Sequence, residues 1–278
     1  MRAAGSPVAV TVNDRWHLGS ITKSMTATLF ARAVEAGVIG WDTTIAEVLG
    51  QVVPDIHPAF RDLTGLEVLS HRAGLMANAP VMTTIPLSEA RTPADIARGR
   101  QAYAAAVLRQ NPVGPARTGF LYSNAGYVVA GLMLEQRLAQ SWEAALQARV
   151  FAPLGITSAG FGPPGAPGAL DQPVGHRKAM VGSRRLPQPP HPERLADNPL
   201  AMGPAGTVHM ALGDVLRFLA AHRDRPATLL GANGWERLHT PPFGGDYALG
   251  WLRRADGLWH NGSNTFWYAE VVVEGRKI

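Results

Sequence analysis

The sequence predicts a mixed α+β domain in which strands from the two chain ends form an antiparallel sheet that packs against helices. Residues 7–12 alternate in polarity as a strand does, and residues 247–254 and 259–273 are rich in aromatic and β-branched side chains. The long middle of the chain has a mostly helical pattern. Because strands and helices do not alternate regularly, a doubly wound parallel sheet is disfavoured.

Length and composition indicate one domain. With 278 residues, 46% of them hydrophobic, the chain can bury one sizeable core. We expect a single domain over residues 1–278, in which a sheet-side region of residues 1–40 and 207–278 carries a helical and loop insertion of residues 41–206.

Helical signals follow one another between the predicted strands. The first helix begins near Ser20, and its apolar residues recur at helical spacing up to Gly37. Further helices are predicted at residues 41–52, 66–71, 93–110, 124–140, 141–151 (with Ser141 as N-cap) and 210–222. Residues 161–206 are dense in Pro and Gly, so we expect a long irregular excursion, which in compact domains is usually functional or disordered.

Composition argues against several classes of function. The net charge is +5, but the basic residues are dispersed without a run of five, which disfavours a nucleic-acid partner. The chain has no cysteine, hence no disulfide and no thiolate nucleophile. No apolar stretch approaches the ~18 residues of a membrane span. The histidines lack metal-ligand spacing such as His-Glu-x-x-His, so we expect neither a metal nor an organic cofactor.

The tetrad from Ser20 to Lys23 is the most informative feature, because the chain has three lysines against twenty-three arginines. Residues at positions i and i+3 share one face of a helix, so the ammonium group can reach the hydroxyl. A desolvated lysine can lose its proton and act as a base, whereas arginine cannot. The pair therefore fits an activated nucleophile. Alternatively, Ser20 only caps the helix, although a cation in the first turn opposes the helix dipole.

A second candidate element is Tyr122-Ser123-Asn124, in a turn just ahead of a predicted helix. Tyr122 could simply pack its ring and hydrogen-bond its hydroxyl. In the functional interpretation it is a phenolate, or a phenol poised by nearby cations, that takes the proton of the nucleophile. Asn124 would then donate to a substrate carbonyl.

The third element is His260-Asn261-Gly262, which opens a predicted strand. A histidine beside a tryptophan is often only structural. A small, glycine-containing strand start, however, lets a substrate backbone approach closely. The backbone N–H that follows such a glycine, here that of Ser263, can serve as an oxyanion donor.

The three elements in this order resemble the serine β-lactamase and penicillin-binding protein superfamily. The similarity is closer to its class C-like branch, which includes carboxylesterases and D-alanyl-D-alanine carboxypeptidases. Supporting segments are residues 16–19 (WHLG), 69–75 (LSHRAGL), 151–156 (FAPLGI) and 206–219. The resemblance runs from about Val8 to the end of the chain, and it implies a β-lactamase/transpeptidase-like fold.

The resemblance implies a role for each motif residue. Ser20 is the acylated nucleophile, Lys23 its activating neighbour and Tyr122 the general base. Asn124 contacts the substrate amide. The strand residues His260, Gly262 and Ser263 bind substrate, and the backbone N–H groups of Ser20 and Ser263 form the oxyanion hole.

The chain departs from the family pattern in two places. His260 stands where many members have Lys, and Asn261 where many have Thr, which weakens the case for efficient β-lactam hydrolysis. Only nineteen residues precede Ser20 and sixteen follow Gly262. We therefore expect a chain truncated at both ends, with an unpaired sheet edge, an uncovered apolar face and little activity in isolation.

These observations predict a serine hydrolase that acts through an acyl-enzyme on a small ester, amide or β-lactam, or on a short peptide. A D-alanyl-D-alanine carboxypeptidase or penicillin-binding protein is one alternative, and a non-catalytic ligand-binding relative is another. An α/β-hydrolase would need a Gly-x-Ser-x-Gly elbow, which the sequence lacks. Bacterial cytoplasm and periplasm both remain open, as does the oligomeric state.

Overall fold

A computed structural model describes residues 1–87, 92–180, 185–190, 196–255, 257–275 and 277–278. The helices are α1 (Thr22–Glu35), α2 (Ile45–Leu49), α3 (Pro58–Arg61), α4 (Gly65–Leu69), α5 (Val81–Leu87), α6 (Pro93–Leu108), α7 (Asn124–Leu138), α8 (Trp142–Leu146), α9 (Gly203–Gly206), α10 (Leu212–Asp224) and α11 (Ala232–His239). The strands are β1 (Arg15–His17), β2 (Gly160–Phe161), β3 (Gly175–Lys178), β4 (Arg185–Gln188), β5 (Val208–Ala211), β6 (Leu252–Arg254), β7 (Gly257–Ser263) and β8 (Tyr268–Glu274).

The strands pair antiparallel in three separate groups. β5 lies between β1 and β2, β3 pairs with β4 as a hairpin, and β7 lies between β6 and β8. The predicted class, mixed α+β with antiparallel pairing beside helices, is confirmed. The strand pairing differs from the expectation, because β1 pairs with β5 and not with the C-terminal strands.

The strand predicted at residues 7–12 is wrong. Val8, Val10 and Val12 are all exposed, and the first strand begins only at Arg15. A turn causes the shift: the Asp14 carboxylate accepts the Thr11 backbone N–H at 3.1 Å and the Thr11 hydroxyl at 3.0 Å. Residues 7–12 therefore alternate in polarity without forming a strand.

The two C-terminal strand predictions also need correction. Residues 259–273 form a hairpin, because the Asn264 side-chain oxygen accepts the backbone N–H groups of Phe266 and Trp267 at 3.2 and 3.0 Å and closes a turn. Within residues 247–254 only Leu252–Arg254 is a strand. Gly250, with a φ of +75°, turns the chain before it.

Two buried helices form the centre of the fold. α1 packs on α7, and both contact α9. α7 is buried from Ala125 to Glu135, and at Gly131 it approaches Pro204 so closely that any side chain there would overlap the proline ring. This packing places the N-terminal ends of α1 and α7 beside α9, where the predicted site residues Lys23 and Asn124 meet.

The remaining helix predictions hold with shifted ends. Ser141 caps α8 as predicted, since its hydroxyl accepts the Ala144 N–H at 3.2 Å. The excursion over residues 161–206 is largely irregular but contains the β3–β4 hairpin, which the sequence did not predict. Its residues 181–184 and 191–195 lie outside the described part of the chain. Within the part that is described, no helix has the length and apolarity needed to cross a membrane.

Candidate active site

Ser20 lies in a short 3₁₀ turn, Gly19–Ile21, that leads into α1. The residue at the N-cap of α1 is Ile21, and no side chain caps this helix. Helix capping therefore does not explain why a serine stands at position 20. Its hydroxyl oxygen instead lies 3.0 Å from the amine nitrogen of Lys23.

Lys23 is fully buried, with three polar groups around its amine. Its Nζ donates to the side-chain oxygen of Asn124 and to the backbone oxygen of Ala205, both at 2.7 Å, and lies 3.0 Å from Ser20 Oγ. Desolvation holds the pKa of Lys23 well below its usual value. Because the N-terminal ends of α1 and α7 lie at this point, the helix dipoles add to the cost of a cation here.

These contacts suit a neutral amine. A neutral amine has two N–H groups and one lone pair. Asn124 Oδ1 and Ala205 O can only accept hydrogen bonds, so they take the two N–H groups. In that state the lone pair is left for the Ser20 hydroxyl, whose proton it can accept, whereas a charged ammonium would donate its third N–H to the Ser20 oxygen. With the lowered pKa of Lys23, this geometry allows the amine to act as a base.

Tyr122 lies on the other side of the lysine amine, whose nitrogen is 4.9 Å from the centre of the phenol ring. Tyr122 is 36% exposed, but the protein around its hydroxyl desolvates that group and raises the pKa of Tyr122 to about 12, although a side-chain hydrogen bond to Ser20 acts in the opposite direction. The resting side chain is therefore a phenol. It can donate a proton to an oxygen or nitrogen bound at Ser20, or relay one.

Asn124 is the first residue of α7, next to its N-cap Ser123. Its side-chain oxygen accepts from Lys23, and its amide nitrogen donates to Asn78 at 2.9 Å. One N–H of this amide is thereby used, and the second is the group that a substrate carbonyl could accept.

His260 is buried and turned towards Tyr247, a residue that the sequence did not single out. Its Nδ1 lies 2.6 Å from the backbone oxygen of Asn261, so Nδ1 carries the proton, and Nε2 accepts from the Tyr247 hydroxyl at 2.9 Å. Burial and the nearby Lys23 lower the pKa of His260 to about 4. The ring is neutral at neutral pH.

The backbone segments that carry Ser20 and Ser263 touch each other. A side chain at Gly262 would overlap the backbone oxygen of Leu18 and come within 2.7 Å of the Ser20 nitrogen. A side chain at Gly19, which has a φ of +52°, would overlap the Ser263 nitrogen. Only glycine permits this approach. The Ser263 side chain itself closes the hairpin, donating to the Trp267 oxygen at 2.7 Å.

His71 supports the Tyr122 turn and was not predicted as a site residue. Its Nδ1 accepts the Ser123 backbone N–H at 3.0 Å, and its ring lies 4.3 Å from the Tyr122 ring and 4.6 Å from that of Tyr247. Burial, Lys23 and His260 hold the pKa of His71 well below its usual value. The sequence contained one signal for His71, because residues 69–75 matched a family pattern. Its contact with Ser123, however, joins residues 52 positions apart and could not be predicted.

Sequence and structure comparisons agree on the relatives of this chain. A family model described as Beta-lactamase matches residues 1–274. Penicillin-binding protein 4 of Amycolatopsis lactamdurans is 32% identical over 225 residues, which cover 79% of this chain and 54% of that protein. The chain thus spans about half the length of this curated relative.

Two solved structures show the same fold. An octameric penicillin-binding protein homologue from Pyrococcus abyssi has a TM-score of 0.78 and 19% identity, covering 98% of this chain and 62% of that one. A D-amino acid amidase from Ochrobactrum anthropi SV3 has a TM-score of 0.67 and 20% identity, covering 93% and 72% respectively. At 19% and 20% identity, these similarities show a shared fold and nothing more.

Proposed function

The chain belongs to the beta-lactamase family, as its motifs indicated, and from this premise we propose that it is a serine hydrolase that works through an acyl-enzyme. One observation carries the proposal. The buried Lys23 amine lies 3.0 Å from the Ser20 hydroxyl oxygen, and two carbonyl oxygens at 2.7 Å can accept its N–H groups, which leaves the lone pair of the neutral amine for the Ser20 proton. A serine beside such a base is an activated nucleophile.

In the proposed reaction Ser20 Oγ bonds to the carbonyl carbon of the substrate while its proton passes to Lys23. The backbone N–H groups of Ser20 and Ser263 stabilise the oxyanion. The bond to the leaving group then breaks, and the leaving group takes a proton from Lys23 through the Tyr122 hydroxyl. Water then attacks the acyl carbon while one of its protons passes to Lys23. The bond from that carbon to Ser20 Oγ breaks, Lys23 returns the proton to Oγ, and the acid is released.

The neutral His260 supports esters and uncharged amides as substrates. Many relatives carry lysine at this motif position, whereas His260, with a pKa of about 4, offers no positive charge to a substrate carboxylate. β-Lactams and peptides ending in D-alanyl-D-alanine both carry such a carboxylate. A role as a penicillin-binding protein is the second candidate, favoured by the 32% identity to the Amycolatopsis protein.

Covalent labelling tests the proposal. The purified chain is treated with a fluorophosphonate probe and the labelled residue is located by peptide mass spectrometry. We expect labelling at Ser20 and none in Ser20→Ala. Ser24→Ala is the matched control, because Ser24 is buried in the same helix and its hydroxyl donates to the Ile21 oxygen. Labelling of Ser20→Ala would refute the nucleophile. An unlabelled wild type would favour a non-catalytic ligand-binding relative.

A substrate panel separates the two candidate functions. Short-chain p-nitrophenyl esters, nitrocefin and a D-alanyl-D-alanine peptide are compared by kcat/KM. We expect the esters to be hydrolysed fastest. Faster turnover of the peptide, or a stable penicillin adduct at Ser20, would support the penicillin-binding role.

A further inference from the structure

We propose that Asp197 is a positioning residue that sets the distance between the backbone N–H groups of Ser20 and Ser263. The inference rests on the proposed function, in which these two groups form the oxyanion hole. Asp197 belongs to the irregular excursion before α9, and none of its hydrogen bonds reaches Ser20, Lys23 or Tyr122. Its carboxylate instead joins the two segments that carry the N–H groups.

The first arm of this bridge runs to the Ser20 turn. Asp197 Oδ2 lies 2.7 Å from Nε2 of His17, which is fully buried at the end of β1. His17 Nδ1 accepts the backbone N–H of Gly19 at 3.1 Å, so the ring proton is on Nε2 and is donated to Asp197. The carboxylate thereby holds the Leu18–Gly19 peptide, whose N–H lies one residue before that of Ser20.

The second arm runs to the end of β7. Asp197 Oδ1 accepts from the side-chain nitrogen of Asn264 at 2.7 Å. Asn264 follows Ser263 directly, and its oxygen accepts the backbone N–H groups of Phe266 and Trp267. Both arms therefore end one residue from an N–H group of the oxyanion hole.

With asparagine at position 264, both arms need an acceptor at position 197, and only a carboxylate supplies two. Asp197 is 6% exposed, and such burial is costly unless both oxygens are paired. Its two oxygens accept from His17, from Asn264 and from the Asn198 backbone N–H. Asparagine has one oxygen and one NH₂ group, so it would oppose a donor with a donor in one arm. The two segments touch at Gly19 and Gly262, so the loss of either hydrogen bond to Asp197 changes their separation directly.

The test exchanges the acid and the amide. Asp197→Asn places two donors opposite each other, and Asn264→Asp places two carboxylates opposite each other. In the double variant D197N/N264D, the new amide at position 197 donates to the new carboxylate at position 264, and its oxygen accepts from His17. Both arms are thereby restored. Among the described contacts of Asp197, the N–H of the half-buried Asn198 is the one that loses its acceptor.

The rate of Ser20 acylation is measured for all four proteins, with KM and the affinity for a boronic acid that forms a tetrahedral anionic adduct. Misplaced catalytic groups cost up to about 100-fold in rate. We expect each single variant to acylate at least tenfold more slowly and to bind the boronic acid proportionally more weakly, with KM changed less than about threefold. The double variant recovers to within about threefold of wild type. If Asp197 had only a structural role, its substitution would lower the melting temperature without slowing acylation more than it changes KM.

The inference is overturned if folded Asp197→Asn acylates within threefold of wild type, or if the double variant is no faster than the single ones. Should Asp197→Asn fail to fold, Asn264→Ala cuts only the second arm, and an unchanged acylation rate there is equally decisive. Failure of the proposed function looks different. In that case the fluorophosphonate probe does not label the wild type, or it still labels Ser20→Ala.

Discussion

At the scale of single residues, the proposed chemistry depends on the proton that Lys23 can lose. Arginine is permanently protonated and would bring five N–H donors to a pocket that offers two carbonyl oxygens and the Ser20 hydroxyl. We predict that Lys23→Arg slows Ser20 acylation more than tenfold, a barrier increase above ~1.4 kcal/mol. Lys178→Arg, an exposed exchange in β3, is the control and should leave the rate unchanged. Retention of over a tenth of wild-type activity by Lys23→Arg would contradict the proton relay.

His260 supports the second residue prediction. Because its two ring nitrogens are bonded to Tyr247 and to the Asn261 backbone, we expect it to shape the site and not to exchange protons with substrate. His260→Ala should slow acylation severalfold yet still label at Ser20, and His57→Ala, a half-buried helix cap, should not affect it. Complete loss of labelling in a variant with a normal circular-dichroism spectrum would make His260 essential to the chemistry.

The candidate site could be predicted from the sequence as far as its side chains carry recognisable motifs. Ser20 and Lys23 lie three positions apart, so helix geometry brings them together. The Ala205 oxygen that accepts from Lys23 is a backbone atom 182 positions away, which no residue pattern reveals. Asp197 and Tyr247 were missed for the same reason, since their importance comes from partners distant in sequence.

At the scale of elements, a buried histidine pair joins three helices. His222 of α10 lies 2.9 Å from His239 of α11, and its other nitrogen lies 3.3 Å from the Thr28 hydroxyl of α1. Burial lowers the pKa of His239 to about 3 and that of His222 well below its usual 6.5. Both rings are neutral in the folded protein, whereas in the unfolded chain they bind protons below about pH 6.5.

Acid should therefore destabilise this helix junction. The unfolded state binds more protons between pH 6.5 and the folded pKa values, so the free energy of unfolding falls as the pH drops below 6.5. The slope is on the order of 1.4 kcal/mol per pH unit and histidine. Urea unfolding at pH 7 and pH 5 measures it. His239→Gln should flatten the slope and His57→Gln should not; an unchanged slope in His239→Gln would refute the assignment.

The helices and the sheets differ in how far the sequence predicted them. α6 and α7 were placed to within two residues, because helical composition and periodicity are local signals; the structure also shows caps at Thr92 and Ser123. Strand pairing is not local. β1 joins β5 across nearly two hundred residues, and residues 7–12 alternate in polarity without forming a strand. Local turns at Asp14 and Asn264, formed by side-chain hydrogen bonds, set the strand ends.

At the scale of the whole molecule, an open apolar groove of about 700 Å³ runs between residues 10–16, β8 and α10. Leu212 and Val272 on its walls are 59% and 43% exposed, and Val12 is 79% exposed. Within the described chain β8 pairs along one edge only, with β7, apart from a single contact between Glu274 and Lys277. Contiguous exposed apolar surface beside a sheet edge promotes self-association.

We therefore predict that the isolated chain binds a hydrophobic dye and associates at this groove. Leu212→Lys combined with Val272→Lys places two like charges on its walls, so dye fluorescence should fall at least twofold and the sedimentation of larger species should decrease. Val113→Lys is the matched control, because Val113 is 55% exposed and does not line the groove. Ser20 labelling should persist in all three proteins, because the substituted positions lie outside the candidate active site described above. Equal dye binding by the double variant and wild type would show that the apolar surface responsible lies elsewhere.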